Sequence, residues 1–589
     1  MSGWPCKAAA ALVSLLAFSA ASASAQTAVP SDEAVGPPVV LTPPSGTDGG
    51  QEPVGPADIG RAPAGIEVDP LAESAADYGG LLEPATGGLP IDMWKGSDRA
   101  FVERLLPALP VVPESPSLRG LARRLLASSA EAPAGPATRN LIPIRAERLM
   151  ALGDVKGAAE LLALVPESQL DTTVARLQLE SAWFAGEDDR ACAEVPELIR
   201  RFDEDLYLQK ALIFCQAKAG KTVEATLGLD LLREQGHADE SGFFELVEVL
   251  TGVRKSAEIE SLAEPRGLHL AMLKATGQPL PQGDTDPDDP HLLAARLAAD
   301  GAEKLGATER AVGLGLARPD DLIRLYREEE AAPEEIADAL DAAPDGPHAR
   351  AMLYQAVEQA SSPTTRAALI QKALRAASRG VDYLVAAQVY LPLIEQMQPG
   401  PHNAAFAGEA GRVLYLGGRY ELAAAWLEVA RAESEHNPDA AAAAPVLMLL
   451  SRIAGGEVPL MWEGRAIAAW RQAQATGGDV EADLRAARLF AILDGLGEPI
   501  GAAWQALGDP AAPNAVPLPY PALWFAVGDA AANGRIAETV MLALFILGPD
   551  GPGNAHPVAL GRALSALRQV GLAEEARAIA FQAALANGV

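Results

Sequence analysis

Two cysteines are the residues of this chain best placed to do chemistry. Cys192 shares an apolar helix face with Val195, Ile199 and Phe202, and Cys215 shares one with Leu208, Ala211 and Leu212. A turn at Asp203-Glu204-Asp205 is equally far from both, so an antiparallel helix pair sets the two sulfurs at one height. Oxidised, they cross-link the helices and stabilise by about 3 kcal/mol in the chain-entropy model. Reduced, they are two small buried hydrophobes. An even number of thiols in an oxidising space favours the bond, while Pro196 threatens the register of the first helix.

Other reactive groups give weaker patterns. Asp284, Asp286 and Asp288 alternate as calcium ligands do, but the sixth and twelfth places of a calcium loop are Asp289 and Ala295, and Pro287 intrudes. They read as a solvated acidic loop, and no metal is assigned. The seven histidines show no zinc spacing. No G-x-S-x-G elbow, Walker loop or dinucleotide fingerprint is present. No catalytic or cofactor-binding residue is therefore assigned, and the chain reads as a non-enzyme. Aromatics concentrate toward the C-terminus. Core packing accounts for some of them; others can anchor a ligand on a concave surface beside the loop Pro510–Pro521. Trp462, Trp470, Trp504, Tyr520 and Trp524 are the candidate binding surface, with Phe525 and Trp426 in the same region.

The elements that must position these residues follow a period. Between Arg145 and Arg233 a helix runs into a glycine three times, at Gly153, Gly186 and Gly220, spaced 33 and 34 residues apart. Each glycine is followed at five residues by an alanine (Ala158, Ala191, Ala225) and at nine by a large apolar residue (Leu162, Val195, Leu229). The offset of four places both on one helix face. The glycine ends the first helix, where a left-handed backbone costs least. The pattern returns at Gly411, Gly418, Tyr420, Ala423, Leu427 and Ala430, closed by Asn437-Pro438, and more loosely at Gly534 and at Gly571, Ala576 and Ala583.

This spacing resembles the tetratricopeptide repeat, most closely in the Tyr420 unit. The resemblance implies an all-α solenoid of helix pairs, wound as a right-handed superhelix, with no chemistry attached. In such a fold each unit touches its neighbours. Composition agrees with all-α: of 589 residues 49 % are hydrophobic but 5 % aromatic, so much of the apolar content is alanine, the best helix former.

The N-terminus reads as an address. Lys7 precedes an apolar run, Ala8 to Ala20, too short to span a bilayer, and Ala23-Ser24-Ala25 offers a signal cleavage site between Ala25 and Gln26. Cys6 lies before that run and is misplaced for lipid attachment. No later run suggests stable membrane insertion. Residues 26–88 form an acidic Pro/Gly-rich linker with Arg61 as its one base, expected to be disordered. A cap follows over 89–136. In its second helix Ser115-Pro116 is the start signal, Leu118, Leu121, Leu125 and Leu126 face inward, and Arg119, Arg123 and Arg124 face outward. This segment is similar to one from an exported helical-repeat family of alphaproteobacteria, which implies no activity. Repeats then occupy 137–240, divergent helices 241–401, and repeats again 402–589. In the divergent part helices are expected at 243–253, 291–304, 320–326, 349–359, 365–377 and 381–397.

Function is bounded by charge. At a formal −31 the chain repels phosphate backbones, so nucleic acid is an unfavourable partner. The reading is an exported scaffold or adaptor that binds a protein or peptide in the periplasm of a Gram-negative cell, without cofactor. The alternative is a peptidoglycan- or glycan-binding component of a cell-wall remodelling system. Soluble lytic transglycosylases also join a signal peptide to a long α-superhelix, but end in a lysozyme-like domain where this chain shows Ala563–Leu585.

Overall fold

The structure is a computed structural model. It describes residues 79–111, 115–237, 242–259, 266–280, 289–297, 302–330, 332–341, 344–377, 381–456, 479–500 and 516–589. The signal segment with Ala25 and Gln26 lies outside these residues. So do most of the linker, the acidic loop Asp284–Asp288, and Trp462, Trp470 and Trp504.

The described residues are helical, with two isolated β-bridges and no strand among them. The helices of the N-terminal part are α1 (Arg99–Leu105), α2 (Pro116–Ala127), α3 (Leu141–Ala151), α4 (Val155–Leu162), α5 (Thr172–Phe184), α6 (Asp188–Arg201), α7 (Leu206–Lys218), α8 (Thr222–Glu234) and α9 (Phe243–Leu250). The middle part contains α10 (Arg266–Thr276), α11 (Pro290–Leu297), α12 (Ala302–Gly313), α13 (Pro319–Glu328), α14 (Pro333–Asp341), α15 (Gly346–Gln359), α16 (Pro363–Ala376) and α17 (Val381–Glu395). The C-terminal part contains α18 (Ala407–Leu416), α19 (Tyr420–Ala432), α20 (Pro438–Ile453), α21 (Asp479–Gly495), α22 (Pro521–Ala532), α23 (Ile536–Leu547), α24 (Pro557–Gln569) and α25 (Ala573–Ala586). The helix expected over 291–304 is two, α11 and α12. Helices α10 and α14 stand where the sequence reading expects none.

Glycine-linked helix pairs recur. Gly153, Gly186, Gly220, Gly418 and Gly571 all have φ between 70° and 87°. At each, the next residue donates its N–H to a carbonyl five residues back, as Asp154 does to Leu149, Lys221 to Gln216 and Arg419 to Leu414. This is the left-handed C-terminal motif that satisfies otherwise orphaned carbonyls. The small and large residues that follow are buried: Ala158, Leu162, Ala191, Val195, Ala225, Leu229, Ala423 and Leu427. A Cβ on Gly411 would stand 2.4 Å from a methyl of Leu447, so that glycine is what lets α18 and α20 approach. Cys192 and Cys215 are bonded, with Cα atoms 5.4 Å apart, tying α6 to α7. Helix α6 runs through Pro196 without breaking.

Packing departs from a neighbour-only stack. Helix α2 packs on α23 and α25, so the first helices meet the last. The Ala537 N–H donates to Met93 O at 3.0 Å, Ser115 Oγ donates to Gln582 Oε1 at 2.8 Å, and Arg124 pairs with Glu575. One hydrophobic core accordingly runs from Leu89 to Val174 and resumes from Leu305 to Val589. Residues Ala175 to Leu273 form a second core, in which α10 returns to pack on α5. Buried Glu180 pins that return: it accepts from Tyr207 Oη at 2.7 Å and from the Gly267 N–H at 2.8 Å.

Two further expectations are corrected. Residues 80–82, placed in the linker by composition, are built into the fold: Leu81 and Leu82 donate to Ala127 O, and a Cβ on Gly80 would stand 2.3 Å from Ser129 N. The arginines of α2 do not share an outward face. Ser115 and Pro116 start the helix as expected, and Leu118, Leu121, Leu125 and Leu126 are buried. Arg119, however, is also buried, donating to Leu314 O at 2.7 Å and to Leu152 O. Burial pushes its guanidinium down to about 10, so it remains charged at neutral pH. The reason is that α2 is covered on two sides, and a cation is needed where two helices end.

Two contrasts test this fold. At Gly220 an added Cβ meets nothing within 4 Å, whereas at Gly153 it meets Pro290 Cβ at 2.6 Å. Urea unfolding should show Gly220→Ala costing about 1 kcal/mol from its positive φ and Gly153→Ala about 3 kcal/mol, since overpacking adds. In the same assay Arg119→Met should cost about 3 kcal/mol, because carbonyls at two helix ends lose a charged donor. Arg123→Met, which removes an exposed pair with Asp154, should cost less than about 1 kcal/mol.

Candidate binding surface

Of the five aromatics assigned from sequence, Tyr520 and Trp524 are described, and the structure gives them different roles. Tyr520 precedes Pro521, which opens α22, and is 72 % exposed. Phe525 is 66 % exposed and Leu518 59 %. All three lie at or just before the head of α22, each open to solvent. The opposite face of α22 carries the buried Val527, Ala530 and Ala531, and the helix packs on α23 and α24.

Trp524 is partly exposed and is braced by its neighbours. Its ring meets Phe525 edge-on at 4.8 Å between centroids. The guanidinium of Arg562, on α24, lies 5.0 Å from the indole centroid, a cation–π contact. One turn beyond Trp524, Gly528 makes the space: a Cβ there would stand 1.4 Å from Arg562 Nη2. The Trp524-x-x-x-Gly528 spacing was visible in the sequence, but the arginine that fills it comes from 34 positions later. The start of α24 is held by His556, whose Nδ1 accepts from the Val558 N–H at 3.2 Å. Burial, and then Arg488, push its pKa down, which keeps the accepting nitrogen unprotonated at neutral pH. Trp426 is core, against Phe406 at 5.9 Å. Tyr420 lies between Tyr415 and Phe581 of the last helix, at 6.3 and 6.1 Å.

A cavity of about 350 Å³ lies where the Gly96–Arg104 segment meets α23. Asp98, Phe101, Arg104, Arg535 and Glu538 line it. Its charges are largely committed. Asp98 accepts from the Phe101 N–H at 2.9 Å, and Arg535 pairs with Asp529 at 2.5 Å and Glu538 at 3.0 Å. Hydrogen bonds to Asp529 and Glu538 hold the Arg535 guanidinium above its ordinary range. The cavity is a joint between the two ends of the fold, and nothing in it pairs a nucleophile with a base. Among the described residues no group of three or more His, Cys, Asp or Glu is arranged to hold a metal ion, and no helix is long and apolar enough to cross a membrane.

The chain matches no protein-family model, no curated protein and no solved structure.

Melting curves should separate supporting from free aromatics. Tyr520→Ala and Phe525→Ala should each stay within about 0.5 kcal/mol of the parent, and Trp524→Ala should cost about 2 kcal/mol, below the full cost of a core aromatic.

Proposed function

We propose that this chain is an exported helical-repeat scaffold that binds a protein or peptide through the exposed patch Leu518, Tyr520 and Phe525. The observation that carries the reading is the contrast within one helix turn. Trp524 is held by Arg562 and Gly528, while its neighbours Tyr520 and Phe525 are held out to solvent. Rigid aromatics with little rotamer freedom make good anchors for a partner. The tetratricopeptide-like assignment is part of the proposal. It is supported by the shared glycine turns at Gly153, Gly186, Gly220, Gly418 and Gly571, and by the buried alanine five residues after each. Under it the pairs α3–α4, α5–α6, α7–α8, α18–α19 and α24–α25 are units of a right-handed solenoid, with divergent helices between them. Export to the periplasm rests on Lys7, the apolar run and Ala23-Ser24-Ala25. The Cys192–Cys215 bond supports an oxidising compartment. Binding without catalysis, metal or cofactor completes the proposal.

A photocrosslinking amino acid at Tyr520 or Phe525, in cells, tests it. The expected result is one protein adduct of defined mass, reproduced at both positions and absent when the label sits at buried Val527. Attachment to muropeptides or glycan strands, or no adduct at either position, would overturn the protein-binding reading; the first would install the cell-wall alternative.

A further inference from the structure

A second surface lies far from the aromatic patch in sequence, on α8. Its rotation is fixed by the neighbouring helices. Ala225, Leu229 and Leu232 are buried, and α8 packs on α7 and α9. Gly228 sets the closeness: a Cβ there would stand 2.7 Å from a side-chain carbon of Ile213. The opposite face points to solvent, and it is apolar. Val223 is 78 % exposed, Leu227 70 % and Leu231 52 %. Spaced four apart, they form one continuous row over two turns. An amphipathic helix that has already buried one apolar face has no packing reason to carry a second.

The border of the row is one-signed. At about 100° per residue, Glu224 and Asp230 flank Leu227 on either side and Glu234 closes the far end. All three are exposed. Asp230 has a surface pair with Arg233 at 3.2 Å, of little energetic weight. The basic residues of the helix ends, Lys221 and Arg233, lie round the sides, and Arg233 is further engaged by Glu248 at 2.6 Å.

We infer that the solvent face of α8 docks an amphipathic helix of a partner protein, one whose aliphatic row is flanked by lysine or arginine. Charge decides among occupants. A second copy of this chain would set acidic border against acidic border. An anionic membrane surface is repelled by the same acids. A basic amphipathic helix satisfies both the row and its border, in the helix-in-groove mode. The contact is short, so the affinity is modest, with Kd on the order of tens of micromolar.

The test uses the mature chain and two labelled helical peptides, each with a leucine row at four-residue spacing. One is flanked by lysine, the other by glutamate. Fluorescence anisotropy should show the lysine peptide binding about tenfold tighter or more. Leu227→Glu should remove that binding, and Val223→Lys is the second variant at the other end of the row. The triple change Glu224→Lys, Asp230→Lys, Glu234→Lys should invert the preference. All positions are exposed, so melting temperatures should be unchanged. Tyr520→Ala should leave peptide binding intact, which separates this proposal from the C-terminal patch. Binding that ignores Leu227→Glu, or a preference that does not invert, overturns it. So does a dimer seen by sedimentation, or flotation with phosphatidylglycerol vesicles, that Leu227→Glu abolishes.

Discussion

The physical constraint behind this structure is the helix end. Its helices are short, and each leaves up to four carbonyls without an internal partner. Two devices meet the demand. The first is glycine in the left-handed region, which lets its own N–H and that of the next residue turn back onto the last carbonyls, as at Gly153, Gly186, Gly220, Gly418 and Gly571. The second is a buried arginine fork. Arg119 serves the ends of α3 and α12 together, through Leu152 O and Leu314 O. Arg145, also buried, holds Leu126 O and Ser128 O at the end of α2. A planar cation with five donors suits this task, because it answers both the unmet acceptors and the negative end of the helix dipole.

The arginine forks also decide which helices meet. Glycine turns act locally and join a helix to the next. Arg119 joins elements 33 and 195 positions away from it, and Arg124 reaches Glu575. With Ser115 bound to Gln582, α2 becomes the piece on which the first and last helices are assembled. Glu180 plays the complementary part in the second core. A buried carboxylate accepts the free N–H groups at the start of α10, where negative charge is favoured, and so brings α10 back to α5.

What remains on the surface acquires meaning from that rigidity. Tyr520 and Phe525 are presented by a helix whose rotation is fixed by Trp524, Gly528 and Arg562. Val223, Leu227 and Leu231 are presented by a helix locked on its other face through Gly228 and Ile213. In both, exposure follows from neighbouring contacts that leave the helix no other orientation, and a preset surface loses little entropy on binding.

By itself the sequence determined what is local. Helix type follows from alanine content and apolar period. The glycine turns follow from the one residue that tolerates positive φ, and the α2 start follows from Ser115-Pro116. The Cys192–Cys215 pairing was legible too, because two helices joined by one turn have a calculable register. Tertiary structure decided the rest. The outward reading of Arg119 failed, and Trp524 is only partly exposed, for the same reason. A side chain's exposure depends on what arrives from elsewhere, and Leu314 and Arg562 arrive from 195 and 38 positions along the chain. The return of α10 to α5 and the meeting of α2 with α25 likewise involve polar contacts between residues far apart in the chain, which leave no period in the sequence to read.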